Sequence, residues 1–377
     1  MKKIGVVSGL VLASSVCWIG VSQAVEFAIV GARAAGMGGA GVAVTSDAYA
    51  SYWNPAGLAM SKTVDIRIGV SAQAIDRLGL KDTMTDLEDF NTSDTSPSNI
   101  AKANDIAARF NKPGATVSAI GAGGFYVKGY YGEHAFGFNV SDVATAGGFV
   151  SRPVTVTPGA TVSIDGQMAL NGLEARQAVA SYAYAFMDRM FSIGVSGKVI
   201  QGVAYNGTAT LTGGSDVKLS DNFGDGKTTT NFGVDVGAMF RPSSWLRVGI
   251  VGKDLNRPSF DTPNGGKFYL DPQVHGGLAV NPWESLTITA DIDVTKNRTL
   301  TPDVKSQVIS LGAEQTLFSE LLSLRIGAFK NTADANSNIT PTAGFGLRLW
   351  ALRADFAAGY DFKEGGAIAS GTLAMTF

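Results

Sequence analysis

The stretch Leu286-Thr287-Ile288-Thr289-Ala290-Asp291-Ile292-Asp293-Val294 puts an apolar side chain at every second position, with a hydroxyl or carboxylate between. Successive side chains of an extended strand point to opposite faces. One face of this segment is therefore apolar and the other polar. The pattern recurs: Leu352, Ala354, Phe356, Ala358 and Tyr360 alternate with Arg353, Asp355, Ala357, Gly359 and Asp361. Phe191, Ile193 and Val195 alternate with Ser192, Gly194, Ser196 and Lys198, and Phe232, Val234, Val236, Ala238 and Phe240 with Asp235 and Gly237.

From residue 64 onward about fourteen such segments follow one another, centred on 64–72, 115–128, 135–146, 172–186, 191–203, 229–240, 246–253, 267–280, 286–295, 305–316, 322–330, 341–349, 352–361 and 366–377. Segments of about ten residues, one face for lipid and one for a lumen, are the mark of a transmembrane β-barrel. Charged residues are only 16% and glycines number 47, yet no apolar run long enough for a spanning helix follows the N-terminal segment. The alternative is a soluble β-sandwich with the aromatics in its core. So regular a succession of strands favours the all-β transmembrane antiparallel barrel.

Connections alternate in length. Short ones follow residues 129, 186, 240, 280, 317 and 350, and long ones are expected at 73–114, 147–171, 204–228, 254–266 and 296–304. Bacterial barrels have short periplasmic turns and longer outer loops, so both termini are expected in the periplasm. Trp245, Trp283 and Trp350 sit at short connections, flanked elsewhere by Tyr130, Tyr131, Phe186, Phe191 and Phe318, as an inner aromatic girdle requires. The last strand ends Leu373, Met375, Phe377 on one face. By its likeness to other barrels, this terminal aromatic is what outer-membrane assembly machinery would engage. Outer-membrane lipid and lipopolysaccharide are the expected surroundings.

The N-terminus reads as a signal peptide over 1–24: Lys2 and Lys3 are basic, Ile4–Ile19 apolar, and Ser22 and Ala24 small before a cleavage site. An uncleaved anchor is the alternative. Val16 stands before Cys17 where a lipoprotein signal carries a small residue. Cleavage would remove this single cysteine, and with it any disulfide or thiolate chemistry. Loss of Lys2 and Lys3 takes the formal charge from -2 to about -4, too little to imply nucleic acid. His134 and His275 read as surface or lumen residues. No catalytic residue, cofactor or metal is expected.

Gly36-Met-Gly38-Gly39-Ala-Gly41 matches a dinucleotide fingerprint literally but lacks the strand and helix around it. Its glycines read instead as points of close backbone approach. The longer stretch Gly31–Leu58, with Asn54-Pro55-Ala56, resembles the FadL-type long-chain fatty acid transporter superfamily. The resemblance implies a fourteen-stranded barrel with residues 25–62 folded inside as a hatch, leaving 63–377 as the barrel. Lys253-Asp-Leu-Asn256-Arg-Pro258-Ser-Phe260, Leu270-Asp-Pro272, Asp293-Val-Thr-Lys296-Asn297 and Lys305-Ser-Gln resemble the branch labelled conjugal-transfer TraF-like outer-membrane proteins.

Strand phase points Asp65, Asp235, Asp291, Asp293, Glu314, Asp355 and Asp361 into the lumen, with Arg67, Lys198, Arg247, Lys253, Arg325, Arg348 and Arg353. Equal signs argue against an ion-selective pore. The groups either grip the hatch as ion pairs, with Arg33 and Asp47 as partners, or are solvated. Asn54-Pro55-Ala56 is expected to form the turn between hatch and first strand.

In the loop 73–114, Ser98 is expected to cap a helix with Ala103, Ile106, Ala107 and Phe110 on one face, ended by Pro113-Gly114, and Met84, Leu87 and Phe90 mark a second helix. Leu87, Phe90, Ile106 and Phe110 either contact an apolar ligand at the mouth or pack the helices together as a lid. Asp221–Gly226 does not fit a calcium-loop spacing. The function expected is passive uptake of small hydrophobic molecules past the hatch. The alternative is a structural or docking barrel for an envelope, secretion or conjugation assembly.

Overall fold

The computed structural model describes residues 23–24 and 27–377 apart from 218, 303 and 364. The expected leader lies outside them but for its last two residues. Among the described residues fourteen antiparallel strands close into a barrel. They are β1 Asp65–Arg77, β2 Thr116–Tyr131, β3 His134–Pro158, β4 Val162–Phe186, β5 Phe191–Thr212, β6 Lys227–Ser243 and β7 Leu246–Lys253. Then come β8 Gln273–Trp283, β9 Leu286–Asp293, β10 Val308–Leu317, β11 Leu322–Asn331, β12 Thr340–Leu349, β13 Leu352–Tyr360 and β14 Ala367–Thr376. Closure comes from β14 on β1, where Thr376 pairs with Asp65 and the Phe377 and Val64 backbones exchange bonds of 2.8 and 3.0 Å.

The alternation seen in the sequence becomes two surfaces. Ile288, Ile292, Val195, Val236, Leu324 and Phe356 are exposed on the outside. Apolar exposure around the whole wall has no place in water but suits lipid. At the short-turn end His134, Tyr184, Phe186, Phe191 and Phe240 form a ladder of rings with centroids 4.4–6.2 Å apart. No described helix is long and apolar enough to cross a membrane.

Two expected loops are corrected. Residues 147–171 are not a loop: β3 and β4 run through them for 25 residues each, and only 159–161 turn. Similarly β5 runs to Thr212. About ten residues suffice to cross a bilayer, so these three strands rise well past the rest. The apolar residues of this extension (Val154, Ile164, Met168, Leu170, Leu211) are buried, which supports strand where a polar loop was expected.

On that extension pack two helices, α3 Leu80–Glu88 and α4 Pro97–Phe110. The cap of α4 is Ser96, not Ser98: its hydroxyl accepts from the Asn99 amide at 3.3 Å, and Pro97 takes the first helical position that proline favours.

Before the barrel strands, residues 27–63 lie within the barrel. They contain the one-turn helices α1 Ala32–Gly36 and α2 Ala50–Trp53 and a 3-10 helix Pro55–Met60. Nearly every residue from 28 to 60 is buried.

Candidate functional site: the plugged lumen

The segment 27–63 is held by three kinds of contact, each set by local sequence. The first is glycine against glycine. A Cβ on Gly38 would lie 2.4 Å from the Ala328 carbonyl oxygen, and one on Gly327 of β11 would lie 2.3 Å from the Gly38 nitrogen. Gly38 also has φ +69, which suits glycine. Its amide donates to the Thr342 hydroxyl at 3.0 Å, and that hydroxyl donates to the Gly36 carbonyl at 3.2 Å. Gly39, at φ +84, backs onto Ile29.

The second is the Asn54-Pro55-Ala56 signature. Asn54 is fully buried. Its amide nitrogen reaches the carbonyls of Val42, Ala238 and Ile250 at 3.3–3.4 Å, and its oxygen accepts from Ala56 N at 3.1 Å. It thus ties the plug to β6 and β7. Gly194, Gly237 and Gly249, inward on β5, β6 and β7, leave room for it. The expected role is corrected: Pro55 opens the 3-10 helix, so the signature is a docking point within the plug, and residues 61–64 make the link to β1. The residue before a proline is extended, as Asn54 is at φ −160.

The third is charge. Arg33 of α1 pairs with Glu314 at 2.7 Å; Glu314 also holds Arg325, which holds Asp355, which holds Arg353. Burial works against the Arg33 guanidinium, but the Glu314 carboxylate and its hydrogen bonds outweigh it and raise the group above its ordinary value. Arg67 bridges Asp65 at 2.7 Å and Asp47 of the plug at 3.2 Å, and Asp65 accepts from Ala48 N. Asp291 accepts from the amides of Gly41 and Val42 at 2.6 and 2.7 Å. Arg247 donates to the Ala43 carbonyl at 3.3 Å. Lys253 lies 3.7 Å from the Tyr52 ring centroid and donates to its carbonyl. Lys198 joins Asp235 and Asp254. Tyr49, whose phenol burial pushes up to about 12, bonds Thr372. The inward charges mostly grip the plug or one another.

Two expected lumen charges are corrected. Arg348 has the inward phase but sits at the short-turn rim, half-exposed and paired with Glu320. Asp361 lies past the end of β13, in a turn where it accepts from Lys363 N. Two cations escaped the sequence reading. Lys128 on β2 reaches the carbonyls of Ser46 and Ser61 at 2.7 and 3.0 Å, and Arg189, in a short turn, reaches the carbonyls of Ala59 and Gly132. Strand phase could have placed Lys128; nothing in the sequence marks a turn arginine.

Leu87, Phe90, Ile106 and Phe110 are all at most 3% exposed, packed on Ile164, Met168 and Leu211. They form core between the two helices and the strand extension, not an open ligand surface. The TraF-like residues build the rest of the outer end. Phe260 inserts over Gly202, Asn256 bonds the β6 backbone at Phe232 and Val234, and Asp271 holds both Arg257 and Arg298.

Between plug and outer loops lies a cavity of 360 Å³. Phe27, Ile29 and Trp53 of the plug form its floor and Ile75, Ile120 and Phe329 apolar parts of its wall; the rest of the lining is largely polar, including His275, Asp291, Gln73, Arg77, Asn331 and Asp334. Among the described residues no group of three His, Cys, Asp or Glu side chains is placed to hold a metal.

Comparison with known proteins agrees with this architecture. The CymD monoaromatic hydrocarbon channel superposes with a TM-score of 0.55 at 13% identity, over 92% of this chain and 96% of that one. A TodX deltaS2S3 mutant monoaromatic hydrocarbon channel gives 0.57 at 12%, over 92% and 98%. The toluene transporter TbuX of Ralstonia pickettii gives 0.52 at 14%, over 92% and 97%. At such identities the likeness is one of fold, and it is the FadL-type fold that the Asn54 signature implied. No curated protein matches the sequence. The family model described as "F plasmid transfer operon, TraF, protein" matches residues 51–293, from the plug through β9. The chain thus has the fold of those barrels, fourteen-stranded and plugged by its own N-terminal segment, and it belongs to that TraF protein family.

Proposed function

We propose that the protein is a passive outer-membrane passage for small hydrophobic molecules. The observation that carries this reading is the cavity floor. Phe27, Ile29 and Trp53 belong to the plug itself, so a ligand in the cavity touches the element that blocks its exit. Apolar surface favours an apolar guest, at roughly 25 cal/mol per Å² buried. A volume of 360 Å³ is at the small end of the roughly 300–1,000 Å³ of ligand pockets. The names of the three barrels of like fold, two monoaromatic hydrocarbon channels and a toluene transporter, support the same class of guest. Residues 27–62 act as the hatch in this reading. The leader over 1–24 delivers the chain to the periplasm, where both termini remain, and assembly machinery engages the strand ending in Phe377. Lipid and lipopolysaccharide surround the wall. No step requires catalysis.

The test is native mass spectrometry of the barrel extracted in mild detergent, with toluene as added probe. One apolar molecule bound per barrel is expected. The plasmid-transfer name of the family supports a second reading, a docking barrel for an envelope or conjugation assembly. A barrel that retains a protein partner and takes up no toluene would favour that reading and contradict the first.

A further inference from the structure

We infer that a trough in the outer wall of the barrel seats one acyl chain of a phosphorylated glycolipid of the outer leaflet, with its head beside Arg176. The inference stands apart from the uptake reading, since the trough lies on the lipid side of the wall.

Cross-strand pairing places Ala369 of β14, Ala72 of β1, Gly121 of β2, Ala144 of β3 and Glu174 of β4 in one row. Nearer the outer end of the strands runs a second row, Ala367, Ala74, Ala119, Ala146 and Gly172, which reaches Tyr205 of β5. Ala72, Ala119 and Ala144 are exposed, whereas their neighbours Ser71, Ile120 and Val143 are buried. Ser71 accepts from the plug amide of Gly31, so it points inward and the rows face lipid. Elsewhere on that face the side chains are large and exposed, as at Val195, Phe232, Ile250, Leu311 and Phe345. Here the two rows leave an apolar hollow of 800 Å³. Phe223, packed against the helix cluster, bounds it over Gly172, and Val70, Phe125 and Val140 stand exposed on the short-turn side.

The hollow slants across the leaflet. Ala369 is about eight residues from Phe377, and Glu174 about twelve from the short turn after Phe186. At roughly 3.3 Å per residue and a tilt of about 40°, they stand roughly 20 and 30 Å above the inner rim. The apolar band of such barrels is about 25 Å tall. One end of the hollow thus lies within the band and the other at headgroup level. At that upper end, on the same face, Arg176 pairs with Glu174 at 2.6 Å and with Asp142 at 3.7 Å. Charges that face lipid are costly at mid-bilayer and cheap near the interface. The Arg176 side chain is more than half exposed, which leaves donors for a phosphate.

An apolar hollow with a charged upper end has the polarity of a membrane lipid. Within lipid, association gains nothing from burial and depends on close packing. A second copy of the chain would bring the same concave face, and two hollows set together leave a void. An acyl chain is a rod that fills one.

The test adds lipid A, a multiply acylated and phosphorylated glycolipid, to the purified full-length barrel in mild detergent with magnesium. Bound molecules are counted by native mass spectrometry. One lipid A per barrel is expected. Ala72→Leu combined with Ala144→Leu fills the trough, keeps the face apolar and should lower occupancy at least tenfold. Ala180→Leu, exposed on the same face of β4 below the trough, should leave it unchanged. Dephosphorylated lipid A should bind several-fold more weakly, and equal binding would overturn the place given to the head. Heat-modifiable migration checks each fold. Toluene binding should survive in the filled variant, because neither alanine lines the lumen cavity. An unaltered barrel that takes no lipid A, or a filled one that takes as much, would overturn the inference. So would a dimer that the filled variant loses, which would give the trough to a second copy.

Discussion

At the residue scale the plug depends on absent side chains. Gly36 and Gly38 meet Gly344 and Gly327, and Asn54 and Pro55 meet Gly194, Gly237 and Gly249. In the first two pairs backbone reaches backbone because neither side carries a Cβ; in the others a bare inward glycine makes room for the Asn54 and Pro55 side chains. Gly327→Val should therefore expel the plug, since its Cβ falls 2.3 Å from the Gly38 nitrogen, while the apolar outer face of β11 is unaltered. Gly197→Val is the control: a Cβ there meets nothing within 4 Å. Cells carrying Gly327→Val should become sensitive to a large antibiotic such as vancomycin, and cells carrying Gly197→Val should not. Equal sensitivity would show that the close contact is dispensable. The glycines of the plug were legible as places of close approach. Those of the barrel were not, because a glycine at an inward position neither strengthens nor breaks the period-two pattern.

At the scale of elements, fourteen strands were legible because each has one face in lipid and one in the lumen. The overshoot of β3, β4 and β5 was not. The stretch holds Gly147-Gly148, Pro153 and Gly159, residue types that weaken strands, yet Pro153 falls at a register shift between Arg152 and Thr155, where a missing amide costs the ladder nothing. The two helices rest on that overshoot. Phe110→Ala should cost about 3–5 kcal/mol of local stability. Limited proteolysis should then cut within 78–115 while the barrel stays heat-modifiable; an uncut loop would mean that the helices are held by something else. Orientation is tested on intact cells with an impermeant thiol reagent. Asn91→Cys and Asp221→Cys, on long loops, should react, and Asp188→Cys, in a short turn, should not. The reverse labelling would invert the barrel.

For the whole molecule, the central claim is that residues 27–60 close a lumen that would otherwise be open. Inward charges of both signs hold them there: Glu314 on Arg33, Arg67 on Asp47, Lys128 on the Ser46 and Ser61 carbonyls. Strand phase marked many of the inward charges, though not Lys128 or Arg189. The pairing was not legible, because it joins residues as distant as Arg33 and Glu314. Deleting residues 27–50 leaves every strand and every lipid-facing side chain in place, so the barrel should still assemble. Single-channel recording in a planar bilayer compares it with the intact chain. The intact protein should conduct little or nothing, and the deletion should show a large, weakly selective conductance. An intact protein that already conducts as strongly as the deletion would contradict the plug and, with it, passage coupled to a hatch.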